Sequence, residues 1–166
     1  MNFKDWTAIE TDVSENKEAI IGKLVEFALS DTLLFWSTDK NVHGVQEQKW
    51  APIISWVNQT IRGDFKKTSG LDTLDENNDM SDRLKIYLSN LSDKELSVFY
   101  VAALTMRSVL LALALVKGKI NANEAFELSE LETLYQIEKW GVDDTIEARH
   151  SNIKQILINA EEHLHV

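Results

Sequence analysis

The chain is 166 residues long, is 44% apolar and carries a net charge of −10, which fits one acidic globular domain. This negative charge argues against binding to nucleic-acid phosphates or to an anionic membrane, because both require a positive field. The absence of cysteine excludes disulfides, thiolate metal sites and cysteine nucleophiles. Because the first residues resemble neither a signal peptide nor a transit peptide, we expect a bacterial cytoplasmic protein, or a mitochondrial matrix protein whose presequence has been removed.

One proline and six glycines in the whole chain favour long helices. A first helix is predicted from Ser14 to about Ser30, and residues 1–13 are interpreted as the remnant of a linker. Apolar residues recur at helical spacing along that helix, at Ile20, Ile21, Leu24, Val25 and Ala28. The stretch that follows, SDTLLFWST, breaks this period and predicts an extended segment or a tight turn.

A second helix is predicted over 42–62, ended by Gly63. Pro52 inside this run either opens a new helix or kinks one continuous helix. The polar stretch 64–79 predicts a loop with at most a short strand. Ser81 is then expected to cap a short helix.

The most apolar stretch of the chain is 98–116, and Ser92 and Glu95 before it match a capping box. Its length is close to that of a membrane span, yet a central Arg107 would cost roughly 2.5 kcal/mol or more in lipid. We therefore predict one buried central helix, closed by a left-handed Gly118, and no membrane insertion. A buried Arg107 would need a carboxylate or several backbone carbonyls as acceptors.

Asn121 is expected to cap a helix that runs to Trp140 and is ended by Gly141 in the same left-handed manner. Glu132 lies on this helix in a polar stripe between two apolar strips. Such a stripe either meets a buried cation or lines a recognition surface. A last helix is predicted over 143–163. The whole pattern predicts an all-α single domain, 1–166, of about six helices around the central helix 98–116.

Two Glu/His groups on the last helix raise the alternative of a carboxylate-bridged di-metal enzyme. They are Glu147 with His150, and Glu162 with His163 and His165. Because one helix cannot surround a metal pair, we interpret both groups as solvated surface and expect no metal, cofactor or catalytic residue. Five tryptophans without a basic groove do not indicate nucleic-acid stacking.

The segment SELETLYQIEKWG resembles the signature of the chaperones that bind the free α subunit of ATP synthase, the ATP-twelve type assembly factors. The matching residues are Ser129, Leu131, Glu132, Tyr135, Gln136, Trp140 and Gly141. Colinear landmarks extend the resemblance over 20–158: Asp31 to Leu34, Gln46, Trp50 to Trp56, Arg107 to Ala114, Gly118, Asn121, Glu124 and Ala125. Ala51 and Thr133 replace acids that are common in the family, and the family's β-rich amino-terminal domain is expected to be absent.

The resemblance implies a chaperone that covers the β-contacting surface of the α subunit without hydrolysing ATP, and we expect the chain to be a monomer. The resemblance also implies partner-binding roles for Asp31, Trp50, Ser129, Glu132, Tyr135, Gln136 and Trp140. Structural roles are expected for Arg107, Gly118 and Gly141 from their positions in the helical pattern. Besides the di-metal enzyme, a helical adaptor domain that has lost the chaperone role remains an alternative.

Overall fold

The computed structural model describes residues 5–69 and 78–166, and this part of the chain is built almost wholly from helices. Its elements, in chain order, are α1 (Trp6–Glu15), α2 (Lys17–Ala28), a 3-10 helix (Thr32–Leu34), β1 (Phe35–Trp36), α3 (Lys40–Ile61), β2 (Thr68–Ser69), α4 (Asn78–Ser89), α5 (Asp93–Met106), α6 (Val109–Val116), α7 (Ala122–Ser129), α8 (Leu131–Trp140) and α9 (Asp144–Leu164). The predicted all-α class is confirmed. The described ranges contain nine α-helices instead of about six. Two of the predicted helices are each divided in two, and an additional helix precedes the predicted first one.

The amino-terminal segment is not a linker over residues 6–13, because it forms α1 and joins the core. Asp5 caps α1 by accepting a hydrogen bond from the amide of Ala8 at 3.0 Å. Ile9 and Val13, one helical turn apart, are both buried. Two buried apolar residues in ten were too weak a pattern to indicate this helix from the sequence.

The segment after α2 contains the 3-10 helix and β1, which confirms the predicted turn and extended stretch. Strand β1 pairs in parallel with β2 over two residues only. The rest of the predicted loop, residues 70–77, lies outside the described residues. The next helix, α4, begins at Asn78 and not after a Ser81 cap.

Helix α3 runs without interruption through Pro52, so the continuous-helix alternative holds. Asp39 caps its start by accepting hydrogen bonds from the amides of Asn41 and Val42. The helix ends at Ile61, one residue earlier than predicted, and Arg62 after it adopts the left-handed conformation with φ of 56°. Gly63 matters for packing instead, since an added Cβ would lie 2.8 Å from the sulfur of Met80.

The predicted central helix is two helices, α5 and α6, separated by Arg107 and Ser108. Arg107 adopts φ of 56°, and Ser108 restarts the helix by accepting a hydrogen bond from the amide of Leu111 at 3.0 Å. The side chain of Arg107 is exposed, so the prediction of a buried guanidinium is wrong. The capping box at Ser92 and the positive φ of Gly118 (74°) are confirmed.

The helix predicted from Asn121 to Trp140 is also divided, into α7 and α8, at Glu130. Asn121 caps α7 as predicted. Gly141 ends α8 with φ of 82°, but its ψ of 173° is extended and not left-handed helical. Only glycine adopts this combination readily.

The core has α5 and α6 at its centre, with α1, α2, α3, α7 and α9 packed around them. Every residue of α6 is buried, and α8 by contrast has no buried residue and contacts only α3 and α7 to any extent. Across the described ranges, every helix is too short or too polar to cross a membrane. The periphery of the bundle, at α8, is where the candidate site lies.

Candidate protein-binding cleft

A polar cleft of about 360 Å³ opens between α8 and the body of the bundle. Its walls come from the end of α5, the α7–α8 junction, the start of α8, two residues of α9, and single residues of α3 and the 3-10 helix. Four charged residues line it: Arg107, Glu130, Glu132 and Arg149. The breaks that the sequence did not predict, at Arg107 and Glu130, are therefore the backbone features that shape this cleft.

Helix α8 places the signature segment at the surface. Leu131 and Leu134 are half-buried and pack against the core, whereas Glu132 and Gln136 are exposed. Trp140 at the end of the helix is 83% exposed. The side chain of Glu132 lines the cleft and forms no ion pair or hydrogen bond within the described parts of the chain. Glu132 therefore does not pair with a buried cation among the described residues, which was one of the two alternatives for the polar stripe.

Glu130 and Arg149 pair with each other inside the cleft. The Glu130 Oε1 lies 2.5 Å from Nη1 of Arg149 and 3.6 Å from Nε2 of His150. The His150 ring meets the edge of Phe126 at 5.0 Å between centroids and is only 8% exposed, so its assignment to solvated surface is wrong. Burial lowers the pKa of His150, and the Glu130 carboxylate opposes this effect.

Two of the predicted partner-binding residues, Asp31 and Trp50, are buried and bonded within the chain. The Trp50 indole donates to the carbonyl of Leu128 at 2.8 Å, which fixes α3 to the end of α7. Asp31 accepts hydrogen bonds from the amide of Leu33 (2.9 Å), the hydroxyl of Ser108 (2.7 Å) and the amide of Leu110 (2.9 Å). We therefore assign structural roles to both.

The environment of Asp31 also changes its acidity. Complete burial raises the pKa of this carboxyl to about 6, although the three hydrogen bonds and the amide of Val109 act in the opposite direction. Asp31 thus joins the segment after α2 to the start of α6. Aspartate is rarely buried fully, so its residue type gives no indication of this position in the core.

The other predicted residues are arranged along α8 and its start. Ser129 lines the cleft and donates its hydroxyl proton to the carbonyl of Phe126 at 2.9 Å. Tyr135 is half-buried, with Nζ of Lys139 at 4.9 Å from its ring centroid. Ser129 and Glu132 thus meet in the cleft, whereas Tyr135, Gln136 and Trp140 are not among its lining residues.

The Glu/His groups of α9 point in different directions. His150 faces Glu130 and Phe126, and His163 lies 2.6 Å from Oε1 of Glu10 and stacks on Trp6 at 4.5 Å. Among residues 5–69 and 78–166, His, Asp and Glu side chains form no group of three arranged to hold a metal ion. His163 is therefore structural and not solvated as predicted.

The described residues define an all-helical domain with a charged cleft beside α8, and comparison with known proteins adds a family to this description. Residues 5–58 match the family described as ATP12 chaperone protein. Protein atp12, mitochondrial, of Schizosaccharomyces pombe is 25% identical over 88% of this chain and 53% of its own length. Protein ATP12, mitochondrial, of Saccharomyces cerevisiae is 26% identical over 86% of this chain and 52% of its own length. The chain therefore spans about half the length of these curated relatives.

The fold also matches a solved structure. The crystal structure of Atp12 from Paracoccus denitrificans superimposes with a TM-score of 0.87, covers 92% of this chain and 66% of the solved chain, and is 23% identical in sequence. Together with the family match, this confirms the predicted resemblance to the ATP12-type assembly factors.

Proposed function

We propose that this chain acts as an assembly chaperone for ATP synthase. It binds the free α subunit and covers the surface that later contacts β, and it does so without catalysis. The match to a chaperone family and to two proteins named ATP12 supports the general role. The resemblance of residues 129–141 to the α-binding signature supports the particular partner.

The position of α8 is the observation that carries this proposal. This helix holds the most specific part of the resemblance, yet none of its residues is buried. Glu132, Gln136 and Trp140 are all exposed, so the core does not require these residue types. Side chains that a fold does not need and that resemble a binding signature are better explained by a contact with a partner.

The chemistry of α8 suits a temporary cover for an aggregation-prone surface. Trp140 offers a large apolar ring at the surface, and tryptophan is a frequent anchor of protein interfaces. The charged residues of the cleft, at the other end of α8, supply polar contacts. Such a surface binds the unassembled subunit and must release it when the final partner arrives.

The compartment follows from the partner. ATP synthase headpieces assemble in the bacterial cytoplasm and in the mitochondrial matrix, and both curated relatives are named as mitochondrial proteins. We propose that the chain acts as a monomer in one of these compartments.

The test is whether the chain alone slows aggregation of isolated α subunit, measured by light scattering at an equimolar ratio. We expect the wild type to suppress light scattering. We expect Trp140→Ser to bind the α subunit about 10-fold more weakly than the wild type, which is the range for losing an aromatic anchor. Ile86→Ser is the matched control, because Ile86 is also an exposed apolar residue (64%) but lies on α4. No suppression by the wild type would reject the function. Equal binding by both variants would remove α8 from the contact surface.

A further inference from the structure

We propose that Arg107 binds a carboxylate of the partner polypeptide, in the same cleft where Glu132 receives one of its basic groups. This inference rests on the proposed function and names the chemistry of the segment that enters the cleft. That segment carries an acidic and a basic side chain close together.

A charge inventory of the cleft supports this assignment. Of its four charged lining residues, Glu130 and Arg149 form an ion pair at 2.5 Å. Arg107 and Glu132 line the same cleft, and within residues 5–69 and 78–166 neither forms an ion pair or a side-chain hydrogen bond. The cleft therefore has one cation and one anion available to a ligand.

The uncharged polar groups of the cleft are mostly committed to the fold. The hydroxyls of Thr32, Thr105 and Ser129 donate to the carbonyls of Arg107, Val101 and Phe126 at 2.9, 2.7 and 2.9 Å. The indole of Trp50 donates to the carbonyl of Leu128. Recognition in this cleft consequently depends on Arg107 and Glu132, with half-buried Leu104 and Ile153 as apolar walls.

The backbone conformation of Arg107 does not require an arginine side chain. Its φ of 56° is a conformation that glycine or asparagine adopts at lower cost than arginine. The backbone role of this residue, in which its carbonyl accepts from the amide and hydroxyl of Thr32 at 3.2 and 2.9 Å, would be filled by glycine equally well. Arg62 has the same φ, so the conformation alone assigns no role to an arginine, and it is the position of Arg107 in the cleft that does.

The guanidinium defines the ligand by its shape. Its planar donors match the two oxygens of a carboxylate, and this pairing gives both affinity and orientation. Glu132 at the same cleft disfavours a purely anionic ligand, because its carboxylate would repel a second negative group. A polypeptide with paired charges satisfies both residues, and this favours a protein segment over a free small anion.

The experiment compares Arg107→Gly with Arg62→Gly in binding to isolated α subunit by calorimetry. Arg62 is the matched control, since it has the same φ of 56° at the end of α3 and is not among the residues that line the cleft. In both variants, glycine removes the conformational cost of holding a non-glycine residue at a φ of 56°. Neither variant should therefore unfold at a lower temperature than the wild type. We expect Arg107→Gly to weaken binding roughly 10-fold or more, Arg62→Gly to bind as the wild type does, and Arg107→Lys to fall between them.

A second arm tests Glu132 and the nature of the ligand. Glu132→Gln should weaken binding without changing the melting temperature, and its effect should not add fully to that of Arg107→Gly, because one segment contacts both. If Arg107→Gly binds the α subunit as tightly as the wild type, the inference is wrong and the proposed function stands. If the wild type does not bind, both are rejected. If millimolar phosphate or acetate raises the melting temperature of the wild type but not of Arg107→Gly, a small anion site replaces the inference.

Discussion

Asp31 is the residue whose structural role differs most from its predicted one. Its carboxylate lies fully buried against the amino-terminal end of α6, where it accepts from Ser108 and from the amide of Leu110. A helix start is a favourable place for an anion, but complete loss of water opposes ionisation. Desolvation is the larger effect and raises the pKa from 3.8 to about 6.

The raised pKa gives a prediction for stability as a function of pH. The folded state holds the Asp31 proton more tightly than the unfolded state, so this group contributes most below the unfolded pKa, and the contribution is lost as pH rises through about 6. Asparagine does not titrate. The unfolding free energy of the wild type minus that of Asp31→Asn should therefore decrease by ~2 kcal/mol between pH 4.5 and 7.5. Urea titrations at a series of pH values measure it.

Asp39→Asn is the control for that experiment. Asp39 also caps a helix with its carboxylate, but its side chain is exposed, and asparagine is an equally good cap. Its difference from the wild type, measured at the same pH values, is the baseline for the Asp31→Asn difference. An Asp31→Asn difference that does not change with pH would show that the buried carboxyl keeps an ordinary pKa.

At the scale of the helices, α8 should be the least protected of the larger elements. It has no buried residue, whereas all of α6 is buried. Local opening is cheapest where few apolar contacts are lost. Hydrogen exchange followed by mass spectrometry should show amides of α8 exchanging at least about 10-fold faster than those of α5 and α6. Exchange in α8 as slow as in α6 would mean that this helix opens only with the whole domain.

The boundaries of helices were predictable where the signal was local. The capping boxes at Ser92 and Asn121 and the positive φ of Gly118 follow from residues within one turn of each helix end. The break at Arg107 does not, because its stabilising partners, Thr32 and Asp31, lie more than 70 residues away in sequence. An apolar run indicates burial, but it does not show where tertiary hydrogen bonds interrupt a helix.

At the scale of the whole molecule, the first and last helices hold each other in place. His163 of α9 stacks on Trp6 of α1 at 4.5 Å and lies 2.6 Å from Glu10. We expect His163→Ala to lower the free energy of unfolding by ~1–2 kcal/mol through loss of the stacking and the hydrogen bond. His165→Ala, two residues further along and exposed, is the control and should be neutral. Equal stability of the two variants in chemical unfolding would show that the ends are not coupled.

The fold class was predictable because long apolar periods and few helix breakers describe the whole chain. The site was predictable only in part. The resemblance led to Glu132 and Trp140, which are at the surface, but also to Asp31 and Trp50, which are inside. A sequence pattern shows that a residue type matters at a position and does not separate binding from packing. Arg107 was assigned to the core because its neighbours are apolar. Its left-handed backbone conformation, which the sequence does not show, explains why its side chain lies outside the core.

The bond between Asp31 and Ser108 joins residues 77 positions apart. During synthesis the chain is made from its amino terminus, so Asp31 is already available when the α5–α6 region leaves the ribosome. The start of α6, the most apolar helix, can therefore bond to Asp31 as soon as it is synthesised, because no later part of the chain is needed for this contact. In refolding from denaturant that order is absent, and closing a loop of this length must precede the same bond.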